Sequence, residues 1–86
     1  MHLPVFTLEE DVNALPALLP TPETVAIFAG DLKAIQASTT HFDLQRCVGC
    51  AFGYVQALSD MGRFSDAHKP RLRDKVWRAE QRCAIK

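Results

Sequence analysis

Two apolar stripes on either side of one short turn constrain this 86-residue chain more than any other feature. Before the turn, Leu44, Cys47, Val48, Ala51, Val55 and Leu58 recur at three- and four-residue spacing. After it, Leu72, Val76, Ala79 and Cys83 do the same. If the two segments are helices folded back on each other, positions equidistant from about Ser65 lie level. Leu58 then faces Leu72, Val55 lies near Val76 and Ala51 faces Ala79. The stripes match in phase and in side-chain size, including a small-against-small layer. This pattern predicts an antiparallel helical hairpin.

The rest of the chain reads as helix punctuated by proline. Thr7-Leu8-Glu9-Glu10 fits a capping box, with Thr7 as N-cap and Glu10 reaching back. The helix it opens cannot run cleanly past Ala14, because Pro16 lacks a donor and crowds the preceding turn. Pro16, Pro20 and Pro22 make a stiff connector whose Leu15, Leu18 and Leu19 need cover, so this arm is expected to pack across the domain. Thr21-Pro22-Glu23 is a second helix start, and Val25, Phe28, Leu32 and Ile35 form its apolar stripe. Asp43 is the expected cap of the next helix, which Gly62 stops. Pro70 fits the first turn of the last helix. The prediction is an all-α bundle of three main helices, about 22–37, 43–61 and 68–84, plus a short N-terminal helix, in a single domain spanning residues 1–86.

A 48% hydrophobic composition belongs to a folded domain, yet at this length one core supplies only a few kcal/mol of net stability. A partner, a second copy or a metal is a natural supplement. The first ten residues carry no basic stretch and turn acidic at once, which argues against a secretory signal. No apolar run approaches the roughly 18 residues of a membrane span. The expected location is cytoplasmic, where three cysteines are more often thiols than disulfides.

Charge divides the chain. Residues 1–62 hold Lys33 and Arg46 against seven acids, a net of −5; residues 63–86 hold eight cations against Asp66, Asp74 and Glu80, a net of +5. Either the two ends attract each other, within the fold or across a dimer, or the basic end meets an acidic partner or nucleic acid. Lys69, Arg71, Arg73, Lys75, Arg78 and Arg82 surround the last helix, and Trp77 interleaves with them. Solvated cations are the simplest account of that helix, and phosphate binding is the alternative.

The hairpin register also brings Cys83 level with Cys47, with Cys50 one turn along and His41 just ahead of the helix. Cys47, Cys50, Cys83 and His41 would satisfy zinc in kind and number. The plainer reading is three core thiols packing as small apolar groups. A third reading is redox chemistry. Cys47-Val48-Gly49-Cys50 followed by Tyr54, Ala57 and Gly62 resembles the helix-turn-helix segment of the alkylhydroperoxidase D and carboxymuconolactone decarboxylase-like proteins. The resemblance implies Cys50 as attacking thiol and Cys47 as its resolving partner, with a thiolate favoured near a helix N-terminus. That family's histidine, four residues after the motif, is Tyr54 here.

The helix bearing these cysteines has a second face. Gly49, Gly53 and Ala57 fall together opposite the Leu44–Val55–Leu58 stripe, with Cys50 beside them. Each glycine costs a helix interior up to ~1 kcal/mol relative to alanine, so another backbone is expected to approach there. It is supplied either by this chain's own second helix or arm, or by a dimer or partner helix. Trp77 poses the same choice between cover by the N-terminal arm and service as an interface anchor.

No phosphate loop, nucleophile elbow or metalloprotease histidine pair is present. His2, His41 and His68 stand singly, and Glu9, Glu10 and Asp11 read as first-turn acids. The expected function is a small non-enzymatic interaction or regulatory module, cofactor-free, meeting a protein partner or a second copy through Gly49, Gly53, Ala57, Arg73, Trp77 and Arg78. Thiol-dependent redox activity and nucleic-acid binding through the basic helix are the alternatives.

Overall fold

The computed structural model describes residues 7–85. His2 and the rest of the opening stretch, as far as Phe6, on which the reading against a secretory signal falls, lie outside the described residues. The elements run α1 (Leu8–Asn13), a 3-10 turn (Leu15–Ala17), α2 (Pro22–Ala37), α3 (His41–Asp60), a second 3-10 turn (Asp66–His68) and α4 (Lys69–Arg82). The fold is an all-α bundle in which α2, α3 and α4 pack pairwise, with α1 and the proline-bound arm laid across α2.

The caps explain most of the boundaries. Thr7 and Glu10 exchange the reciprocal bonds of a capping box, and Ala14 closes α1 two residues before Pro16. Thr21 caps α2 with Pro22 at its first position; Thr24, not an acid, returns the second bond. Gly62, at φ 66°, takes the left-handed conformation that ends α3. At the start of α3 the expectation is corrected: Thr40, not Asp43, is the cap. Its Oγ1 accepts from the Asp43 amide at 3.1 Å, so the helix begins two residues earlier than Asp43. The earlier start brings Phe42 into the helix.

The core contains the expected stripes, except that Val25 and Cys47 are only half-buried at its edge. Phe28, Leu32 and Ile35 of α2, Leu44, Val48, Ala51, Val55 and Leu58 of α3, and Leu72, Val76 and Ala79 of α4 are buried, with Cys83 just beyond. Leu15, Leu18 and Leu19 of the arm join the same cluster. Direct contacts show the hairpin register. Phe52 meets Trp77 edge-on with ring centroids 5.1 Å apart, and Lys69 Nζ donates to Gln56 Oε1 at 2.8 Å.

A buried carboxylate ties α1 to α4. Asp11 is 1% exposed, and three cations of the basic helix converge on it. Arg78 donates from Nε to both oxygens at 3.2 Å and from Nη2 to Oδ1 at 2.8 Å. Arg82 Nη1 reaches Oδ2 at 3.1 Å, and Lys75 Nζ lies 3.5 Å from Oδ1. Arg82 Nε also donates to Gln36 Oε1 at 2.7 Å, which draws the end of α2 into the cluster. Asp74, one turn before Arg78, receives it as well. Burial alone would raise the Asp11 pKa. The hydrogen bonds from Arg78 and Arg82, with the charges of Arg78 and Lys75, outweigh burial and hold it below the ordinary 3.8.

Removing one partner of a buried ion cluster strands the others. Asp11→Ala is therefore expected to lower the unfolding free energy by about 3 kcal/mol, measured by urea unfolding at neutral pH. That is a large share of the total for a domain of this size. A loss under about 0.5 kcal/mol, the range of ordinary surface substitutions, would show that the cluster contributes little.

Candidate functional site

Helix α3 turns one face to the core and the other to solvent. Phe42, Gly49, Cys50, Gly53, Ala57 and Asp60 are all exposed. Phe42 is 76% exposed, the most of any large apolar side chain among the described residues. A Cβ placed on Gly49 or Gly53 meets nothing within 4 Å. The expectation that this chain's own second helix or arm fills the glycine groove is thereby corrected: α2 packs on the buried side of α3, and the arm lies against α2. The two glycines leave a flat strip of open backbone at the protein surface, with Phe42 at its N-terminal end.

Beside the strip, the hairpin presents an aromatic edge. Trp77 is 48% exposed and is not covered by the arm. It rests on Phe52, and the Arg73 guanidinium sits 5.3 Å from the Phe52 ring centroid. Trp77, Arg73, Lys69, Pro70 and Asp74 line an open groove of about 430 Å³.

The expected contact residues separate accordingly. Gly49, Gly53 and Ala57 stay together on the α3 strip, and Arg73 with Trp77 forms the edge. Arg78 belongs to neither, because Asp11 holds it from the inner side of α4. The picture of α4 as a helix ringed by solvated cations is corrected in the same way: Lys75, Arg78 and Arg82 all face Asp11. Part of the charge division along the chain is met within the fold at this point. Asp11, which reads as a first-turn acid in sequence, is the residue that sequence reasoning missed. Its signal was the −5/+5 division of charge, which named the two ends but not the carboxylate.

The thiols do not gather as the zinc reading requires. All three are free: Cys83 is buried, Cys47 half-buried and Cys50 exposed. Cys83 Sγ points at the Ser38 carbonyl, 3.4 Å away at the end of α2. Among the described residues no group of three His, Cys, Asp or Glu side chains is placed to hold a metal ion, so Cys47, Cys50, Cys83 and His41 form no site. Cys47 and Cys50 remain one turn apart on α3. Because the helix starts at His41, Cys50 is its tenth residue, beyond the first turn where the dipole favours a thiolate. Tyr54, in the place of the family's histidine, has its pKa raised by burial and by the charge of Asp31. It stays a neutral phenol at pH 7 and supplies no base to Cys50.

Comparison of the chain with protein-family models, with curated proteins and with solved structures gives no match. No helix among the described residues is long and apolar enough to cross a membrane.

The differing surroundings of the thiols set an order of reactivity. A disulfide reagent such as Ellman's should modify Cys50 readily in the native protein and Cys83 only on unfolding, read as Cys→Ser variants followed by absorbance. Equal native rates at Cys50 and Cys83 would contradict this placement of the two residues.

Proposed function

We propose that this chain is a small non-enzymatic interaction module, regulatory in role and cytoplasmic, that works through the outward face of α3 and the neighbouring aromatic edge. One observation carries the reading. Of the large apolar side chains exposed among the described residues, Ile27 lies on α2, while Phe42, Met61 and Trp77 stand around a helix face stripped of side chains at Gly49 and Gly53. Large exposed apolar side chains bordering a flat surface are what a docking helix or a second domain covers. Each glycine also costs helix stability, which close approach of another backbone would offset. The aromatic edge adds the residue types, Trp and Arg, that dominate binding energy at interfaces.

Catalytic readings find less support. Tyr54 gives Cys50 no base, Cys50 lies beyond the first turn of α3, and half of the six cations that favoured nucleic acid are engaged by Asp11. The three free thiols suit a reducing compartment.

The test is affinity capture from the source cell with the tagged chain and with a Phe42→Ser/Gly53→Glu variant of unchanged circular dichroism. The wild type should retain a stoichiometric protein, another species or the untagged chain itself, and the variant should lose it. Recovery by both proteins alike, or by neither, would overturn the reading.

A further inference from the structure

Two exposed, opposite charges of α3 are placed symmetrically about Gly53: Arg46 and Asp60 lie seven residues either side of it, and Gly49 and Ala57 four either side. At 3.6 residues per turn, Arg46, Gly49, Gly53, Ala57 and Asp60 fall within a sector of about 80° on the exposed side of the helix. We infer that this face docks a second copy of the chain, the two α3 helices running antiparallel about a twofold axis at Gly53. The inference rests on the interaction reading and names the occupant of that face.

A twofold axis sets residue i of one copy opposite residue j of the other whenever both are equally distant from the axis, so each contact occurs twice. With the axis at Gly53, Arg46 meets Asp60 of the second copy. Gly49 meets Ala57, and Gly53 meets itself. The Arg46–Asp60 pair is thereby made twice, flanking a centre of small residues where the helix axes can come close. Phe42 of each copy extends over the end of the opposite helix toward Met61, which is 61% exposed.

The alternatives are poorer on charge. A parallel pair places Arg46 on Arg46 and Asp60 on Asp60. Sliding the antiparallel register by one turn brings Arg46 opposite Gln56 or Phe64 and loses the Arg46–Asp60 match. Within one chain Arg46 has a looser partner, Asp43 at 3.6 Å on an exposed surface, and Asp60 accepts from Gln56 at 2.8 Å. Both charged ends stand at the surface, where a second copy can reach them. A single helix pair lies at the small end of specific interfaces, so association in the micromolar range is expected.

The test uses the purified full chain alone, by sedimentation equilibrium from low micromolar to near-millimolar concentration. The wild type should form a dimer that weakens as salt is raised. Arg46→Asp and Asp60→Arg, each made singly, should weaken it roughly tenfold or more, and the double variant should recover most of the loss. Gly53→Leu should be monomeric with native helicity. A wild type that is monomeric throughout overturns the second-copy inference, as does a dimer indifferent to the charge reversals. If that monomer still captures another protein through Phe42 and Gly53, the interaction reading survives alone; if it captures nothing, both fail.

Discussion

The arrangement depends on one carboxylate. Asp11 sits in a six-residue helix too short to be stable by itself, and it is almost wholly removed from water. Lys75, Arg78 and Arg82 converge on it from successive turns of α4, and Arg82 extends the network to Gln36 of α2. Burying a charge is costly unless it is paired and hydrogen-bonded, and here the pairing outweighs the burial. The same contact fixes the rotation of α4 about its axis. With its cations turned to α1, the helix presents Leu72, Val76 and Ala79 to the core and Trp77 to the outside.

That rotation decides what the surface can do. A basic helix with its charges in solvent would be a candidate for phosphate backbones, whereas one with three cations committed to Asp11 offers less to them. Outward on the side away from Asp11 stand Arg73 and Trp77 against Phe52, and next to them the bare strip of α3. Together with the opposite charges at the two ends of α3, these apolar, aromatic and small features are what the proposed docking role rests on.

Much of the fold was legible because periodicity and capping act locally. The α2 limits, the capping box at Thr7, the stop at Gly62 and the pairing of the two stripes about Ser65 all follow from neighbouring residues. The start of α3 was misread because Thr40 and Asp43 are both good caps, and only geometry shows which one accepts the amide hydrogen bond. Phe42 was lost with it. The cysteines were misplaced for a related reason. Matching levels along two helices says nothing about which way a side chain points, and Cys83 turns to Ser38. Gly49, Gly53 and Ala57 were legible as a face, but whether α2 covered that face was a question of tertiary packing. Asp11 was invisible as an individual because its partners lie more than sixty residues away. Net charge by segment gave the direction of the attraction without the residue.

A carboxylate held by three cations must bind its proton more weakly than one in the unfolded chain, where the ordinary value is 3.8. Its contribution to stability is complete above that value and is lost as pH falls through the lower pKa of the folded state. The most direct measurement is an NMR pH titration of the Asp11 carboxyl carbon in the folded protein. A midpoint clearly below 3.8 is what the ion cluster predicts. A midpoint at or above 3.8 would mean that the cations do not hold Asp11, and the orientation of α4 would need another cause.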